Sequence, residues 1–173
     1  QNLEGNEVLE EKETVDNFGH VEADPILTEK GKKQAYEIKE FLKDVDYEIV
    51  LTSLYRRAQE TAAIINEDKQ KPVFESIALN EYFLRPDGAD VEGSRMGIAR
   101  AMSKVYSVFD QYKTVVIVCH RSIGRSILQP MLNMKFEELE KYFVNYGDAY
   151  VLRYDYKQGD TNWQIVDSFT PKQ

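Results

Sequence analysis

Apolar positions along this chain follow two periods that take turns. Ala35, Ile38, Phe41 and Leu42 fall three and four apart, which puts them on one face of a helix. Thr28, ahead of Glu29 and Lys30, is an N-cap for that helix. Glu48-Ile49-Val50-Leu51 predicts a short strand, and Thr52-Ser53-Leu54 ends it. Ala58, Ala62 and Ile65 then mark a second amphipathic helix over 55–66. Pro72-Val73-Phe74 predicts another short strand, a Pro-Asp-Gly turn follows at 86–88, and residues 89–95 read as loop. Ile98, Met102, Val105 and Phe109 predict a helix over 96–112. Val115-Val116-Ile117-Val118 is an unbroken β-branched run, the pattern of a strand buried on both faces. His120 stands just past it, followed by a Ser-Ile-Gly step read as a sharp turn and by Ile127 and Leu128 on a helical stripe with Ile123. Residues 136–142 predict a short helix. Residues 149–154 and 163–166 predict strands, paired through a turn at Gln158-Gly159-Asp160. Strands alternating with helices predict an α/β fold, a three-layer sandwich whose largely parallel sheet is flanked by helices.

The first 24 residues follow neither period. They are acidic, and Val8-Leu9 is their only adjacent apolar pair, so residues 1–12 read as an irregular arm or an edge strand and Asp24-Pro25 as a turn. No repeat or linker divides the chain, so residues 1–173 are expected to form a single domain. A net charge of -8 and a pI near 4.9 argue against nucleic acid as a main partner. Cys119 has no second cysteine to pair with, and a cysteine zinc cluster is excluded. By strand alternation its side chain points away from that of His120, as a small core residue. No apolar run reaches the roughly 18 residues of a membrane span, and no signal-peptide pattern is present, so a cytoplasmic location is expected. The chain begins at Gln1 rather than Met, which reads as an excerpt or a processed form.

Three polar positions fall at strand ends. Arg56 and Arg57 open a helix that follows a strand, where a guanidinium and helix N-terminal amides together suit a phosphate. Glu81 follows a short strand, and His120 ends the β-branched one. Singly, each is an ordinary surface or core residue. At one sheet edge, an Arg, a Glu and a His predict phosphoryl chemistry.

The runs LTEKGKKQA at 27–35, LTSLYRRAQETA at 51–62, LNE at 79–81 and VVIVCHRSIGRSIL at 115–128 resemble, in order and spacing, the histidine phosphatase superfamily of phosphoglycerate mutases and fructose-2,6-bisphosphatases. The Val-Cys-His strand end is most similar to the bisphosphatase and small-phosphatase branch. The resemblance implies a phosphoenzyme mechanism with no metal or cofactor. A His in an Arg-His-Gly motif takes the phosphoryl group, a second His and two Arg hold it, and an acid protonates the leaving group. On this resemblance His120 is the second histidine, Glu81 the general acid, Arg57 a phosphate arginine, and Asn17 the phosphate-side Asn behind Glu13-Thr14. Leu54 stands where Pro is usual, and Arg121 where Gly is common, adding a long cationic side chain at the phosphate pocket.

The departure lies in the nucleophile motif. Counting back from Asn17 and Glu13-Thr14 places it at residues 10–12, which are Glu10, Glu11 and Lys12. Two carboxylates in a pocket for a dianion repel it by about 4 kcal/mol per pair at about 4 Å and an effective dielectric near 20. The expectation is a catalytically degenerate domain, a pseudophosphatase that binds a phosphorylated small molecule or a protein partner, as a scaffold or a subunit of a larger assembly. The alternative is an active phosphomonoester hydrolase or mutase whose nucleophile lies elsewhere: upstream of Gln1, at Glu11, or at His20, which otherwise reads as a loop residue. A third reading is an unrelated α/β domain, in which His120 and Arg57 would end on different sheet edges. The short stretch between Glu81 and the next helix predicts a small or open pocket.

Overall fold

The computed structural model describes residues 11–15, 21–81, 94–154 and 163–172. At its centre is a three-stranded parallel sheet in the order β4-β3-β5, formed by β3 (Ile49–Thr52), β4 (Val73–Glu75) and β5 (Val115–Val118). Two antiparallel pairs accompany it: β1 (Glu11–Val15) with β2 (Val21–Pro25), and β6 (Ala149–Tyr154) with β7 (Trp163–Phe169). The helices are α1 (Glu29–Phe41), α2 (Arg56–Asn66), α3 (Ser94–Phe109) and α4 (Arg121–Met131).

β3 shows why the helices take opposite sides. All four of its residues are buried, and their side chains alternate between faces. Ile49 and Leu51 join Met102 and Val105 of α3 and Ile123 and Ile127 of α4. Val50 joins Ile38 of α1 and Ala58, Ala62 and Ile65 of α2. The result is helix, sheet, helix, as the alternation of periods predicts. Thr28 caps α1 as expected, its hydroxyl accepting from the Gly31 N–H at 3.1 Å.

Two expectations are corrected. β5 meets the core on both faces, Val115 and Ile117 toward α3 and α4 and Val116 and Val118 toward α1 and α2, but it is the outer strand of its sheet among the described residues, and Val115, Val116 and Ile117 are only half-buried. Its β-branched run is read correctly as a strand, but burial depends on a neighbour that composition cannot supply. No sharp turn follows His120 either. The Ser-Ile-Gly step lies inside α4, which begins at Arg121 with His120 as its N-cap. The 1–12 stretch is a paired edge at its end: β1 meets only β2 among the described residues, and Asp24-Pro25 ends β2 instead of turning. β6 and β7 pair as expected; the turn proposed between them lies outside the described residues.

Gly124 of α4 is set by close approach. A Cβ there would lie 2.8 Å from two ring atoms of Phe143. That ring cannot move freely, because it stacks edge-on against Tyr150 at 4.8 Å and the Phe143 N–H donates to the Tyr150 hydroxyl. Alanine gains about 1 kcal/mol of helix propensity over glycine, whereas overpacking costs roughly 1–3 kcal/mol. Gly124→Ala is therefore expected to destabilise by about 1 kcal/mol, seen as a lower urea midpoint at unchanged slope.

Candidate active site

β3 and β5 run parallel in register, Thr52 beside Val118, so their C-terminal ends open on the same edge. The next residues along each chain build the site. Ser53 follows β3 and His120 follows β5, and His120 Nε2 lies 2.8 Å from Ser53 Oγ. Asn80, behind the 3-10 turn Ile77–Leu79, reaches the same point: its Oδ1 accepts from the Ser53 hydroxyl at 3.0 Å and from the Leu54 N–H at 2.9 Å. Ser53, Asn80 and His120 are buried. The Tyr55 ring tilts against the imidazole, centroids 5.1 Å apart.

Arg57 stands in the first turn of α2, its guanidinium over the Tyr55 ring at 4.6 Å. Its Nη1 is 4.0 Å from the buried carboxylate of Asp24, whose Oδ1 accepts from the Arg56 N–H at 2.9 Å. Asp24 thereby serves the N-terminus of α2 that lacks a side-chain cap from Tyr55. At 4.0 Å the Arg57 pair is loose, and its N–H groups remain available to an anion. Glu81 accepts from the Ser122 N–H, in the first turn of α4, at 3.1 Å. Arg100 of α3 holds the approach to Glu81 by donating to the carbonyls of Ala78 at 2.7 Å and Glu81 at 3.3 Å.

Burial, with the positive charges of Arg57 and Arg100, pushes the His120 imidazole down to about 3. The ring is neutral at neutral pH. Burial also pushes the Cys119 thiol up to about 12, and Cys119 packs on the α3–α4 side of the core, as its alternation with His120 requires. Arg57, Glu81, His120 and Arg121 line a cavity of about 1830 Å³ that continues along β5 toward β6 and Trp163. Residues 82–93, the stretch from which a small or open pocket is expected, lie outside the described residues. Among the described residues no group of three or more His, Cys, Asp or Glu is arranged to hold a metal ion, and no helix is long and apolar enough to cross a membrane.

Residues 12–89 match the model of the histidine phosphatase superfamily (branch 1). The chain is 39% identical over 67 residues to the uncharacterized phosphatase PhoE of Bacillus subtilis, a match covering 39% of this chain and 33% of that protein. It is 22% identical to the adenosylcobalamin/alpha-ribazole phosphatase of Escherichia coli, covering 70% of this chain and 74% of the relative. The crystal structure of the alpha-ribazole phosphatase from Shigella flexneri superposes with a TM-score of 0.69 at 21% identity, covering 83% of each chain. The chain has the fold of these phosphatases, and its residues 12–89 carry the sequence pattern of their superfamily.

Arg57, Glu81 and His120 line one cavity. Arg121 lines it too, but its guanidinium donates to the Val144 carbonyl at 3.1 Å and lies over the Tyr146 ring. Asn17, His20 and Glu10 lie outside the described residues. Glu11 and Lys12 are on β1, where Lys12 is the backbone partner of Asp24, one strand away from the carboxylate beside Arg57. Sequence reasoning missed Ser53, Asn80, Tyr55 and Asp24. Ser53 and Asn80 were legible only as neighbours of recognised positions, directly after a strand and directly before Glu81.

Proposed function

We propose that this histidine phosphatase-like domain binds a phosphate group between Arg57 and the N-terminus of α4 but does not turn it over, and works as a binding or scaffolding module. One observation carries this reading: Glu10-Glu11-Lys12 occupies the positions of the phosphoryl-accepting motif, while Arg57, Glu81 and His120 remain around one cavity. The family match beginning at Lys12 is in keeping with it. A loosely paired Arg57 beside the buried His120 suits anion capture. Glu11 could form an acyl phosphate only by attacking a dianion that the adjacent Glu10 repels.

The second reading, an active phosphomonoesterase with its nucleophile at another position, is favoured by the retained site and by relatives named as phosphatases. An assay with p-nitrophenyl phosphate, run beside His120→Ala and paired with calorimetric titration of inorganic phosphate, separates the two. The expected result is phosphate binding without turnover. Turnover abolished by His120→Ala would establish the active reading, and a folded protein that binds no phosphate would leave scaffolding alone.

A further inference from the structure

His120 has two ring nitrogens, and the contacts around it decide which one carries the proton. The decision begins at Asn80. The Leu54 N–H donates to Asn80 Oδ1, which fixes the orientation of the amide. Ser53 Oγ lies 3.0 Å from that same oxygen, an atom with no proton to give, so the hydroxyl must be the donor. A hydroxyl has one proton. With it committed to Asn80, Ser53 Oγ can only accept, and it does so from the Tyr55 N–H at 3.1 Å and from His120 Nε2 at 2.8 Å. Nε2 therefore carries the ring proton. Ser53 is fully buried and Asn80 and His120 are 5% exposed, so little water competes with this chain of bonds. No hydrogen bond to Nδ1 is found among the described residues, and His120 lines the cavity.

We propose that Asn80, acting through the Ser53 hydroxyl, is a positioning residue that holds neutral His120 as its Nε2–H tautomer and leaves Nδ1 as the nitrogen that answers a bound oxyanion. The second half rests on the reading that an anion binds beside Arg57. A deprotonated Nδ1 repels an oxyanion, and a protonated one donates to it. Binding of a dianion thus takes up one proton. The groups around the ring set the balance: Tyr55 and Arg57 at the start of α2, Asp24 behind Arg57, Arg100 from α3, Glu81, and Cys119 and Arg121 on either side of His120. Burial, with the charges of the two arginines, keeps the ring neutral when the site is empty, and a dianion offsets the arginine charges.

The test uses the whole chain labelled with 15N-histidine. It has two histidines, and His20→Gln assigns the signals. Two-bond 1H–15N correlation spectra are expected to show His120 protonated at Nε2; protonation at Nδ1 overturns the proposal. Asn80→Leu removes the acceptor, frees the Ser53 hydroxyl to donate to Nε2, and is expected to move the proton to Nδ1. Asn80→Asp keeps an acceptor in place and should retain the wild-type pattern. Should Asn80→Leu fail to fold, the wild-type spectrum still decides. Sulfate, a dianion across this range, gives the second readout. Its affinity is expected to rise as pH falls from about 8 to about 5 in wild type and Asn80→Asp, by up to about tenfold per unit, and to lose that slope in Asn80→Leu. A flat wild-type profile overturns the proton uptake. Absence of sulfate binding alongside an intact Nε2–H signal rejects the anion-binding function and upholds the hydrogen-bond chain.

Discussion

Acidification from pH 6.5 to pH 4 is expected to remove roughly 3 kcal/mol of folding stability through His120 alone. The imidazole sits near 3 in the folded state against 6.5 unfolded, so above pH 6.5 it is neutral in both states and contributes nothing. Between the two values the unfolded chain binds a proton that the folded one refuses, and stability falls by about 1.4 kcal/mol per unit of decreasing pH. The direction follows from burial beside Arg57 and Arg100. Other groups titrate over the same range, so the measurement is a difference: urea unfolding of wild type and His120→Gln at pH 7, 5.5 and 4. The variant should lose less stability than wild type at each acid step. Parallel curves for the two proteins would contradict the buried, neutral ring.

Arg57→Ala is expected to weaken binding of inorganic phosphate by about 100-fold. Two charge-assisted hydrogen bonds from a guanidinium fork, each at the low end of about 1.5–3 kcal/mol, total about 3 kcal/mol, a loss of this order. Fold stability should change little in comparison, because the 4.0 Å contact with Asp24 is loose and Asp24 keeps its bond to the Arg56 N–H. Titration calorimetry reads the first effect and urea unfolding the second. Arg57→Lys should recover only part of the affinity, since an ammonium cannot bind in a bidentate fork. An unchanged affinity in Arg57→Ala would place the anion elsewhere.

The sequence pattern reads the elements of this fold well where an element's own spacing sets which of its positions meet the core. α1, β3 and α2 each carry their burial in their own spacing, and the strand-end logic brings Arg57, Glu81 and His120 together. It reads poorly where a residue takes its meaning from a distant partner. β5 has the composition of a central strand and, among the described residues, the position of an outer one, because composition records what a strand can tolerate on its flanks, not what lies there. Ser53 and Asn80 are common polar residues whose importance comes from meeting 27 residues apart, next to a histidine 67 residues from the serine. Asp24 reads as the first half of an Asp-Pro turn, and its role at the N-terminus of α2 appears only once β2 lies against that helix. The helix start after His120 was obscured by Gly124, a residue usually read as a breaker. Here it makes room for the Phe143 ring.

The net charge also governs how these molecules treat one another in solution. At -8 it sets up a repulsion felt across about 8 Å at physiological ionic strength and over shorter distances as salt rises. Near the pI of about 4.9 that repulsion vanishes just as protonation pressure on His120 loosens the fold. Colloidal stability and folding stability therefore fail together on the acid side, and dilute, low-salt, neutral conditions keep the chains apart.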